Sequence, residues 1–172
     1  MYEKNFIKRI YNFGVKKFIL SYDTFAFIIA FFIIYLITKG TIQKPTADPI
    51  LEIFMNVSSS LFAIVLAGLA IVTSFTDKDF IYVWKKLGEF DNMITLFQYN
   101  LFIPLFILLY SLTLRFIIYK SFAMIILISL FVYMIVSLID LIGFISKYGL
   151  QRGEFVQQLK DLNSKSRKSN KP

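Results

Sequence analysis

Four long stretches of this chain are apolar and almost free of charge, and no other feature restricts the fold as strongly. A hydrocarbon core about 30 Å thick is crossed by about 20 residues of helix, and a backbone without water must satisfy its own amides, as a helix does. The first stretch covers residues 22–38, between Lys17 and Lys39, with Asp23 as its early acid. The second, residues 55–75, lies between Glu52 and Asp77, and its centre SLFAIVLAGLAIVTSF carries no charge. The third covers 93–114 and the fourth 121–145, where Asp140 is the single charge. These runs are continuous rather than alternating, which excludes a barrel. The expectation is an all-α integral membrane protein: a bundle of four transmembrane helices over 22–146, a basic N-terminal segment over 1–21 and a basic cytoplasmic tail over 147–172.

Composition agrees. Of 172 residues 57% are apolar and 17% charged, too few charges to coat a water-soluble domain, which carries about a quarter. The chain has no His and no Cys, which removes thiol nucleophiles, His bases and zinc sites built from either residue. The eleven acids are scattered mostly through loops rather than clustered as catalysis requires. An enzyme is not expected, and no cofactor or metal is either.

Direction follows from the basic residues, which accumulate in cytoplasmic loops. With an even number of crossings both ends share a side, and that side together with the middle loop holds fifteen Lys and Arg against four in the other loops. Both termini are therefore expected inside. ITKGTIQK, after the first run, lacks a small-x-small cleavage pattern, so the first helix is expected to be retained. Lys outnumbers Arg fifteen to four amid many Ile, Phe, Tyr and Asn, a composition that points to an AT-rich prokaryotic genome and to a bacterial inner membrane.

Outside the bilayer, the N-terminal segment groups Phe6, Ile10 and Phe13 on one helical face. Lys4, Lys8 and Arg9 lie elsewhere, and Lys16 and Lys17 follow, as in an interfacial amphipathic helix whose charges contact anionic lipid or a ligand. The middle loop predicts a short cytoplasmic helix over about 77–88, with Trp84 at headgroup depth and Lys85 and Lys86 toward lipid phosphates. After Lys147 a polar helix carries Phe155, Val156, Leu159 and Leu162 at helical spacing, and the last ten residues, without an apolar side chain, read as disordered. The first outer connection, Lys39 to about Pro49, reads as a short loop with two prolines. The next, between about Arg115 and Lys120, closes an antiparallel hairpin.

Within the spans, polar and small residues need a reason. Ser60, Ala63, Ala67, Ala70 and Ser74 recur at intervals of three and four, and Asp77 continues the line. Small side chains let helices approach closely; the same stripe also suits the lining of a cation passage with a carboxylate at its cytoplasmic mouth. In the third span Asn100, Pro104, Leu108, Ser111 and Arg115 share a face, and Pro104 invites a bend that is either static or a hinge. The fourth aligns Ser129, Tyr133, Ser137 and Asp140, and Asp140 suits either a structural hydrogen bond or part of an ion path. Asp23 reads as a helix cap favoured by the dipole rather than as a proton carrier.

SLFAIVLAGLAIVTSF, followed by DKDFIYVWKKLGEFDN and the start of the third span, resembles the RexB-type phage-exclusion channels. It is also similar to the small four-helix membrane effectors of bacterial nucleotide-signalling antiphage systems. The resemblance covers about a quarter of the chain and implies a homo-oligomer that opens during infection, depolarises the inner membrane and halts growth; it implies no catalytic residue. The expected function is an oligomeric gated ion channel. The alternative is a non-conducting membrane partner, an exclusion or immunity subunit that recruits a cytoplasmic protein, or a nucleotide or oligonucleotide signal, through its basic ends. A small proton-coupled transporter ranks below both, because it needs a carboxylate well inside the membrane.

Overall fold

The structure is a computed structural model that describes residues 22–74, 82, 85–86 and 89–169, and these contain four helices. They are α1 (Tyr22–Thr38), α2 (Lys44–Ser74), α3 (Glu89–Phe116) and α4 (Ser121–Ser169). The segments α2, Asn92–Phe116 of α3 and Ser121–Gln157 of α4 are long and apolar enough to cross a membrane. The fourth, α1, is apolar but shorter, at 17 residues. The expected amphipathic helix over 1–21 and most of the middle cytoplasmic helix lie outside the described residues.

The helices pack in the order α1–α4–α3–α2, with a smaller contact from α2 to α4. Chain neighbours α1 and α2 are thus held apart, and α4 and α3 occupy the middle. Two apolar clusters hold the layers together. The one nearer the short connections joins Leu51 and Phe54 of α2, Ile107 and Leu114 of α3, and Met124, Leu127 and Met134 of α4, with Phe54 stacked on Phe131 at 4.2 Å between ring centroids. Phe31 of α1 meets Phe122 of α4 edge to face. The second cluster, at the other end, joins Val65 of α2, Met93 and Phe97 of α3, and Leu141 and Tyr148 of α4. The outward faces are large and apolar, Phe25, Ile29, Phe32, Ile33 and Leu36 on α1 among them. A surface of that kind is suited to lipid rather than water.

Two boundaries differ from the sequence reading. Helix α2 begins at Lys44, about three turns before residue 55, so most of the expected outer loop is helical. Pro45 causes no break in a first turn whose amides have no helical partner anyway, and the Gln43 carbonyl accepts the amides of Thr46 and Ala47 at 3.1 Å. Ala47 and Leu51 are fully buried, so this added segment docks on the bundle. Helix α4 in turn runs unbroken for 49 residues, roughly 70 Å at 1.5 Å each. Its backbone stays helical through 163–169, which composition left unstructured; Lys, Arg, Gln and Leu in that half are good helix formers.

The connections are tightly fastened. Helix α1 ends with Lys39 and Gly40 in the left-handed region, at φ 51° and 75°, and Gly40 N–H donates to the Tyr35 carbonyl at 3.1 Å. That six-residue closure satisfies an end carbonyl that would otherwise have no partner. The Ile42 carbonyl then accepts both the Tyr119 phenol, at 2.6 Å, and the Ser121 hydroxyl, at 2.9 Å, which ties the first connection to the third. On the same side Arg115 of α3 pairs with Glu52 of α2 at 3.3 Å.

Candidate functional site

Apolar helices in lipid have little reason to bury polar side chains unless those side chains bond each other. Between the two apolar clusters, α3 and α4 do bury such groups. Asn100 is 1% exposed and Ser137 is 2% exposed, and the Ser137 hydroxyl donates to Asn100 Oδ1 at 3.0 Å. The Asn100 amide donates in turn to the Leu96 carbonyl at 3.0 Å, so both ends of the amide group are used. One turn away the phenols of Tyr99 and Tyr133 hydrogen-bond to each other across the same seam. At the start of α1, Asp23 is 5% exposed, and its Oδ1 has no hydrogen-bond partner among the described residues.

The polar-path candidates therefore separate by place. Asn100 and Ser137 are brought together in one hydrogen bond. Pro104 is buried within α3, which passes through it as helix. Asp140 is exposed at the edge of the group. Asp23, read from sequence as a cap, stands in the first turn of α1 and is buried. Tyr99 and Tyr133 are the residues that sequence reasoning undervalued. The usable sign was a polar-tipped ring inside each apolar run, since a buried phenol seeks a partner.

The pore-lining candidates lie on a different face. Ser60, Ala63, Ala67, Ala70 and Ser74 are all exposed on α2, while Leu51, Phe54, Ser58 and Val65 turn into the bundle. Ser60 satisfies itself by donating to the Asn56 carbonyl at 2.9 Å. Gly68, beside the stripe, faces inward, where an added Cβ would stand 3.7 Å from the Phe97 ring. Asp77 and Trp84 lie outside the described residues, as do Lys4, Lys8, Arg9, Lys16 and Lys17. Lys85 and Lys86 are exposed, and the Lys85 ammonium sits 5.7 Å from the centroid of the Phe90 ring.

Among the described residues no group of three or more acids, the only metal-binding type this chain has, could hold a metal ion. The arrangement consists of an uncovered small-residue face on one side and a buried hydroxyl and amide seam between α3 and α4 on the other. Comparison with protein-family models, with curated proteins and with solved structures finds no match to this chain.

Proposed function

We propose that the chain crosses a bacterial inner membrane four times, with both ends in the cytoplasm, and self-associates into a gated ion-conducting assembly. At about 25 Å, α1 falls only slightly short of the hydrocarbon thickness and completes the crossings. The fifteen-to-four partition of basic residues supports the direction.

The observation that carries the reading is the outward stripe of α2. Ser60, Ala63, Ala67, Ala70 and Ser74 are not used by the protomer's own packing, although small residues at this spacing are suited to close approach rather than to lipid. Four helices are too few to enclose a wet passage and also shield it, so copies must gather, and the stripe is the side on which they meet or the wall that ions pass. The resemblance of the segment after Ser60 to exclusion channels supplies the setting: opening during phage infection and collapse of the membrane potential.

The second reading, a non-conducting subunit that recruits a cytoplasmic partner, is favoured by α4, whose helix extends well past the apolar run. Reconstitution in liposomes with a voltage-sensitive dye, beside the oligomer mass in detergent, separates the two. A multimer that dissipates a potassium gradient supports conduction. A monomer that leaves the gradient intact removes it.

A further inference from the structure

Helix α1 runs antiparallel to α4 and covers only part of it. The chain just after α1 is tied to the start of α4 through the Ile42 carbonyl, which takes the Tyr119 and Ser121 hydroxyls, and Phe31 meets Phe122 edge to face. The described part of α1 begins at Tyr22, nine residues before that contact, roughly 13 Å along the axis. Helix α4 runs much further in that direction. At 3.6 residues per turn, the side of α4 that carries Phe122 returns at Ser129, Val136, Asp140, Gly143 and Lys147. Burial falls off along it in order: Ser129 is fully buried, Val136 is half-buried, and Asp140, Gly143 and Lys147 are exposed. A Cβ added at Gly143 would meet nothing within 4 Å. The side that receives α1 thus continues, open, beyond the first turn of α1, and it carries the single charge of the fourth apolar run, Asp140.

The sequence before Tyr22 matches that open side. The inward residues of α1 include Asp23, Phe27, Ala30 and Ile34, at intervals of four and three, and the same spacing carried toward the N-terminus falls on Leu20, Lys16 and Phe13. Counted from the Phe31–Phe122 contact, residue 13 stands level with Asp140, each eighteen residues from its aromatic. Lys16 is about 4.5 Å from that level. Helical side chains lean toward their own N-terminus, so in an antiparallel pair Lys16 and Asp140 lean toward each other and close the offset.

We propose that residues 13–21 continue α1 along this side of α4, with Lys16 paired to Asp140 and Phe13 over the open space at Gly143. Nine more residues add about 13 Å and carry α1 past the hydrocarbon thickness of about 30 Å, which its 17 described residues do not reach. An acid within an apolar run is held by a partner, and here the same chain supplies it. The Arg115–Glu52 pair fastens α3 to α2 at the other end of the bundle; Lys16 and Asp140 fasten α1 to α4 at this one. Anionic headgroups are the competing partner of Lys16, and a second copy of the chain is the competing occupant of the open side. Conduction is not required for this pairing.

The chain has no Cys, so introduced pairs report proximity without background. The full chain carrying Lys16→Cys with Asp140→Cys is oxidised in phosphatidylcholine nanodiscs beside Phe18→Cys with Asp140→Cys, position 18 lying on the opposite side of the helix. The first pair is expected to form a disulfide within one chain, severalfold more than the second, identified as a linked peptide from the monomer band. In the same discs the neutral substitutions Lys16→Gln and Asp140→Asn are each expected to lower the melting temperature by several degrees, and the double variant no further than either alone. Equal or absent linking of the two Cys pairs, additive losses, or no loss from either neutral substitution overturns the proposal. A disulfide confined to a dimer band overturns it and assigns the open side to a second copy. A loss from Lys16→Gln that appears only with anionic lipid overturns it and assigns Lys16 to headgroups.

Discussion

Ser137 of α4 donates a 3.0 Å hydrogen bond to Asn100 Oδ1 of α3, and both side chains are buried. This bond fixes the register of the two central helices, because a one-residue slip of either would leave a polar group facing apolar side chains. In a membrane such bonds contribute about 0.6 kcal/mol on average and up to about 1.7. Ser137→Ala is expected to cost about 1 kcal/mol. A double-mutant cycle with Asn100→Leu, followed by reversible unfolding in detergent, is expected to give a coupling of similar size; additive losses would mean that the two residues do not act together.

The outward and inward faces of α2 are expected to respond oppositely. Gly68→Ala adds a Cβ at an ordinary 3.7 Å contact with Phe97 and is expected to leave assembly and stability nearly unchanged. Ala67→Leu, on the exposed stripe, is expected to leave the protomer's melting temperature in place while changing oligomer mass and ion flux by severalfold. Equal effects of both substitutions on flux would count against a role for the stripe.

Gly40 sits at φ 75°, and an added Cβ would lie 3.0 Å from Tyr35 Cε2. Gly40→Ala combines left-handed strain of about 1–2 kcal/mol with that contact. A drop in melting temperature larger than that of Gly68→Ala is the expected result.

Tyr119 lies in the α3–α4 connection, and its phenol donates to the Ile42 carbonyl at 2.6 Å. Burial, with a smaller push from Asp48, raises this phenol above the ordinary tyrosine range, against an opposing effect of Ser121. A raised value in the folded chain means that the contribution is complete below the unfolded tyrosine pKa of about 10 and is lost as pH climbs through the folded value. Tyr119→Phe is expected to cost about 0.5–1.5 kcal/mol at neutral pH and to reduce the loss of stability above pH about 10. An unchanged alkaline profile in the variant would assign that loss to other groups.

Sequence made the apolar helices legible because long uncharged runs have few other solutions; residues 22–38 coincide with α1. It did not reveal that α2 starts at Lys44, since Pro45, Asp48 and Pro49 resemble loop chemistry and only the burial of Ala47 and Leu51 shows why that turn is helical. Packing order was hidden for a related reason: α1 is apolar on all sides, so no stripe indicates α4 as its partner. An acid at the edge of such a run reads the same whether it caps a helix or is enclosed, and the placement of Asp23 required the three-dimensional arrangement. The outward direction of the small residues of α2 likewise came from the fold, because a packing face and an unfilled face share one spacing.

The separation of α1 from α2 has a bearing on how the molecule is made. Synthesis delivers α1 first, yet the surface that receives it belongs to α4, the last helix to emerge. Until residue 121 and beyond have been added, Phe31 has no Phe122 to meet, and the half-built chain must leave that face of α1 against lipid. Completion of the C-terminal helix is thus also the step that draws the N-terminal one into place, and a chain truncated before it would have its first helix unanchored.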